Sequence, residues 1–129
     1  MIRLATISDK TWERNTNVIK KSNIVDIGSS TSITSTTTKS YTGVSITIPA
    51  GSFYSISVNA VYNNSNTVWV GICLDNIQAS SAIADGGTAY VCANACTSGY
   101  VATDTTFYIW AQYLYATQNT IAVRGFYIN

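Results

Sequence analysis

The chain has 129 residues, 47% hydrophobic and only 10% charged, so it carries enough apolar surface for one packed domain and too much for a disordered segment. Thr, Ser, Asn and Tyr fill the polar positions while Glu, Lys and Leu are scarce, which is an all-β composition. The formal net charge is +1, and Arg3, Lys10, Arg14, Lys20, Lys21 and Lys39 all precede the main body, whose one base is Arg124; no basic cluster remains there to neutralise phosphates, so nucleic acid is excluded as a partner.

In chain order, residues 1–40 read as a polar lead-in with short strands. Its basic residues are interrupted by Asp9, Glu13 and Asp26. "NIVDIG" (Asn23 to Gly28) reads as a strand, and the Ser/Thr run "SSTSITSTTTKS" (Ser29 to Ser40) as an edge strand against the domain. Residues 41–129 alternate strand and turn. "VSITI" stops at Pro49-Ala50-Gly51. In "FYSISVNAVY", Tyr54, Ile56, Val58, Ala60 and Tyr62 share one face while Ser55, Ser57 and Asn59 share the other, the period of a half-buried strand. "NNSN" closes it, "TVWVGICL" follows, and a weaker strand is expected near Ile77 to Ile83. "DGG" (Asp85 to Gly87) reads as a tight turn before "TAYVCANAC". "FYIWAQYLY" is apolar on both faces: Phe107, Ile109, Ala111, Tyr113 and Tyr115 on one, Tyr108, Trp110 and Leu114 on the other. The second face calls for its own cover, which points to Tyr108, Trp110 and Leu114 as a subunit interface. "TIAVRGFYIN" forms the last strand. The sum is an antiparallel β-sandwich, a jelly roll.

Three stretches together resemble the head domain of complement-type and tumour-necrosis-factor-like trimers, a jelly roll that also recurs in bacteriophage tail and head fibres. They are "ITIPAGSFYSISVNAVY", "TDTTFYIWAQY" and "RGFYI", in the family's order, with Thr103 where the family has a glycine before its aspartate. The resemblance implies a homotrimeric, receptor-binding virion module that contacts a bacterial surface. No apolar run reaches the ~18 residues of a membrane span, so no membrane insertion is expected. "MIRLATISDK" lacks the apolar core of a signal peptide, which leads to the expectation of a virion protein made in the bacterial cytoplasm.

Chemistry has little to work with. Without histidine, no Ser-His-Asp or Cys-His nucleophile can be assembled, and Cys73, Cys92 and Cys96 are one short of a four-cysteine metal site. The cysteines read as free thiols. Asp75 in "LDN", Asp85 in "DGG" and Asp104 in "TDT" each suit turn chemistry better than a catalytic carboxylate pair. The expectation is no enzyme, no cofactor and no metal. Aromatic and amide side chains are the remaining signal, because sugar rings stack on aromatics while amides bind their hydroxyls. The candidate ligand residues are Tyr62, Asn63, Asn64, Asn66, Tyr90 and Tyr100, facing a host cell-surface glycan. Two other readings stay open: a stand-alone carbohydrate-binding module, and a purely structural virion protein with no ligand.

Overall fold

A computed structural model describes residues 24–34, 38–61, 68–78, 82–88, 92–113 and 118–128. The strands are β1 (Ile24–Thr34), β2 (Ser40–Ile48), β3 (Ser52–Val61), β4 (Val68–Cys73), β5 (Ala82–Thr88), β6 (Cys92–Val101), β7 (Thr105–Tyr113) and β8 (Gln118–Ile128). They form two four-stranded antiparallel sheets, A in the order β1-β8-β3-β6 and B in the order β2-β7-β4-β5. Successive strands alternate between the sheets except at β4 and β5, which are neighbours in sheet B, and the whole is a jelly-roll sandwich. β1 lies in the stretch read as a lead-in, and it pairs with β8 along its full length.

Alternation in the sequence decides what fills the space between the sheets. Ile56, Val58 and Ala60 of β3 point inward with Val123 and Ile121 of β8, and meet Ile46, Ile48, Val70, Ile72, Phe107 and Ile109 from sheet B. Tyr113 closes this core with 1% of its surface exposed, and burial pushes its phenol pKa up to about 12. The chain crosses from sheet B to sheet A at Pro49-Ala50-Gly51, between β2 and β3. Gly51 takes a φ of +80°, which L side chains resist, and its amide donates to the Val101 carbonyl at 2.8 Å. The Asp104 carboxylate accepts from the Ala50 amide at 2.8 Å, fastening this turn to the β6–β7 turn.

Two expectations are corrected. "DGG" is not a turn, since Asp85, Gly86 and Gly87 lie inside β5 and pair with Gly71, Val70 and Trp69 of β4. The glycine at 86 serves a close approach between sheets: a Cβ there would fall on the Asn94 carbonyl oxygen of β6. The weaker strand expected near Ile77 to Ile83 starts later, at Ala82. Before it, the Asp75 carboxylate caps a turn by accepting from the amides of Ile77 (2.9 Å) and Gln78 (2.7 Å).

Cys73 is buried and Cys96 exposed, and neither is in a disulfide. The Cys92 side chain lies outside the described residues. Cys92 and Cys96 stand four residues apart on one strand, about 13 Å between Cα atoms, which is beyond the ~7 Å limit of a disulfide. In native protein a thiol reagent such as Ellman's should modify Cys96 promptly and Cys73 only on unfolding. Denatured, unreduced protein should titrate as three thiols. A titre of one thiol would mean a bridge and a different pairing of strands.

Candidate functional site

Sheet B's outer face carries the aromatic surface that the sequence offered as a subunit contact. Tyr41, Trp110, Gly71 and Asp85 align in one row across β2, β7, β4 and β5. The Trp69 ring lies flat over Gly71, where a Cβ would come within 2.7 Å of it. Its indole Nε1 donates to the Asp85 carboxylate at 2.9 Å, and the Lys39 ammonium sits 4.0 Å above the ring centroid. Trp110 Nε1 donates to the Asp75 carbonyl at 3.0 Å. Tyr41 packs edge-on against Tyr108 with centroids 5.7 Å apart.

The chain therefore covers this face with its own residues. Trp110 is 5% exposed and Trp69 8% exposed, in one cluster with buried Cys73. Trp110 is thereby left with little surface to bury against a neighbour, while Tyr108, partly buried against the same cluster, keeps part of its own. Leu114 lies outside the described residues. The cover could not be read from periodicity, because it comes from Lys39 and from the turn after β4.

Sheet A's outer face is different. The registers of β1, β8, β3 and β6 set its side chains in rows across four strands. The first row, at one end, is Ile24, Ile128, Phe53 and Tyr100. The second is Asp26, Phe126, Ser55 and Ser98. The third is Gly28, Arg124, Ser57 and Cys96, and the fourth is Ser30, Ala122, Asn59 and Asn94. The face thus runs from apolar to polar along the strands. Phe53 is 61% exposed, Tyr100 56% and Phe126 42%, and the Phe53 and Tyr100 rings lie 5.1 Å apart between centroids. Next to them is a shallow recess of about 300 Å³ lined by Asp26, Gly28, Ser55, Ser57, Arg124 and Phe126. The Arg124 side chain runs across Gly28, 3.5 Å from where a Cβ would stand.

Tyr100 is the candidate ligand residue that the structure describes, and it sits at this apolar end. Tyr62, Asn63, Asn64, Asn66 and Tyr90 lie outside the described residues, yet the strand ends flanking them are placed. Val61 pairs with Cys92, and Val68 pairs with both Thr88 and Tyr113. The connections 62–67 and 89–91 therefore leave from one end of the sandwich. Tyr100 belongs to the opposite end: Phe53, its cross-strand partner, is eight residues along β3 from Val61, about 26 Å. Phe53 and Phe126 were missed in the sequence, although a signal exists. Each is a large apolar residue on the wet face of an alternating strand.

The acidic residues of the main body are engaged in structural hydrogen bonds: Asp75 and Asp104 accept from backbone amides, Asp85 from an indole. Among the described residues no three His, Cys, Asp or Glu side chains gather as metal ligands, and no helix is long and apolar enough to cross a membrane.

No protein-family profile matches the chain, and no curated protein sequence matches it. Solved structures do. One is a chain of the acidic stable capsid of Helicobacter pylori bacteriophage KHP30, with a TM-score of 0.53 and 9% identity, covering 81% of this chain and 88% of that one. Another comes from Bacillus endospore appendages, described as a novel family of disulfide-linked pili, with a TM-score of 0.50 and 13% identity, covering 82% of this chain and 88% of that one. At such identities the likeness is one of fold. It reaches an all-β architecture used in a phage capsid and in a spore appendage, which is coarser than the fibre head suggested by the three motifs.

Proposed function

We propose that this chain is a non-enzymatic attachment head of a virion-type particle, homo-oligomeric as the motif resemblance implies. Its polar end, from which connections 62–67 and 89–91 leave, faces a bacterial surface glycan. The observation that carries this reading is the convergence of the strand ends flanking Tyr62 to Asn66 and Tyr90 at a single end of the sandwich. Fold likeness to a capsid protein and an appendage subunit supports a structural role in a particle.

The charge balance selects the ligand class. With so few charges in the main body, a neutral glycan suits the surface better than an anionic polymer. Affinity at one site should be weak, about millimolar to high micromolar, and several copies raise it by simultaneous engagement. Cell adhesion of the purified protein should persist at about 0.5 M salt, since few ion pairs are there to screen. Tyr62→Ala, Asn64→Ala or Tyr90→Ala should weaken adhesion and leave the assembly intact. Adhesion abolished by salt would move the contact to the basic N-terminal residues. A wild-type protein that assembles but binds no cell would assign the chain to the purely structural class.

A further inference from the structure

We infer that the outer face of sheet A, at its apolar end, is the surface on which a second copy of this chain docks. This rests on the homo-oligomeric part of the reading above, gives it a twofold contact in place of the trimer that the motifs imply, and puts that contact opposite the polar end. Large apolar side chains are the first requirement, and Ile24, Phe53, Tyr100 and Phe126 expose theirs within two adjacent rows. Residues of this kind at the centre of a patch dominate association energetics. On sheet B the two tryptophans are already covered within the chain, so its aromatic cluster has less surface to offer.

Self-complementarity argues for a second copy over another partner. The face carries one basic and one acidic side chain, Arg124 and Asp26, in neighbouring rows on β8 and β1. Neither side chain has a hydrogen-bond or ion-pair partner among the described residues. A surface with one charge of each sign pairs both when it meets itself, Asp26 of one copy with Arg124 of the other. Shape agrees with charge: the face has the exposed Phe53 and Tyr100 rings, tilted at 53° to each other, and beside them a recess between Asp26, Ser57 and Arg124. A glycan would use the rings and leave the opposite charges without a reason to face each other.

The test is light scattering on a sizing column. Wild-type protein at micromolar concentration should run at twice the 13.9 kDa chain mass, because a self-complementary face closes with two copies. Phe53→Glu should run as a monomer with unchanged circular dichroism, because the side chain it replaces is exposed. Asp26→Lys and Arg124→Glu should each weaken association at least tenfold when alone, since like charges then face each other. Mixing those two variants should restore it, because the introduced lysine of one meets the introduced glutamate of the other while the native pair forms at the second contact. An ion pair within one chain could not be restored by mixing. A monomeric wild type, an unchanged mass for Phe53→Glu, or no recovery on mixing would each overturn the inference. If the wild type is monomeric and neutral glycosides shift the amide resonances around Phe53 and Arg124, the face is a ligand site instead. Cell adhesion is scored separately: a Phe53→Glu monomer that still binds cells weakly preserves the attachment reading, while an assembled wild type that binds none removes it alone.

Discussion

Gly86→Ala should destabilise the fold by about 3 kcal/mol or more, the upper range for overpacking. β5 is an edge of sheet B and β6 an edge of sheet A, and at this point their backbones come together. The added methyl would stand on the Asn94 carbonyl oxygen and 3.0 Å from its carbon. Backbone atoms cannot swing aside as a flexible side chain does, so the two sheets must part locally. Gly99→Ala is the control. Its Cβ would meet the Tyr54 hydroxyl at 3.4 Å, an ordinary contact, and its effect should stay within about 1 kcal/mol. Urea denaturation of both variants checks the pair. Equal midpoints would show that the sheets are not in contact at β5 and β6, and would return "DGG" to its reading as a surface turn.

Trp110→Glu should unfold the protein rather than dissociate it. The indole is 5% exposed, packs at a tilt beside Tyr41 with centroids 6.3 Å apart, and donates to the Asp75 carbonyl. A carboxylate in its place would be buried without a donor, face that carbonyl oxygen, and leave a void beside Trp69. The cost should be about 4 kcal/mol or more, comparable to the whole stability of many domains. Loss of near-ultraviolet circular dichroism and a collapse of the thermal transition are the expected observations. A folded monomer with a normal melting curve would instead make this face the subunit contact. The contrast with Phe53→Glu, which should dissociate the assembly without unfolding it, separates the two sheets by one kind of substitution.

Local pattern explains what the sequence discloses. Tyr54, Ile56, Val58 and Ala60 alternate with Ser55, Ser57 and Asn59, and the core takes the first set, because a strand's period is fixed by its own backbone. Asp75 caps its own turn as its neighbours suggest, whereas Asp104 accepts from the amide of Ala50, 54 residues away. Gly86 and Trp110 misled for a shared reason: their surroundings come from distant chain. A glycine that admits a facing backbone looks like a turn glycine when only Asp85 and Gly87 are in view. An outward tryptophan looks uncovered until the turn at Asp75, thirty-five residues away, folds onto it. The apolar row was hidden by the same distance. Ile24, Phe53, Tyr100 and Ile128 come from four strands and become neighbours only once the registers are set. The polar end is half legible: its residues stand out by composition, and topology then separates Tyr100 from them.

The division of labour between the two ends is tested most directly by hydroxyl-radical footprinting across a concentration series. Aromatic side chains oxidise readily when exposed, so each face reports on itself. In dilute protein Phe53, Tyr100 and Phe126 should oxidise fast, and their oxidation should fall together as concentration rises and the copies associate. Trp69 and Trp110 should be slow throughout, being covered within one chain. The opposite pattern, with Trp110 reactive when dilute and protected when concentrated while Phe53 stays reactive, would contradict the account and put the assembly face on sheet B.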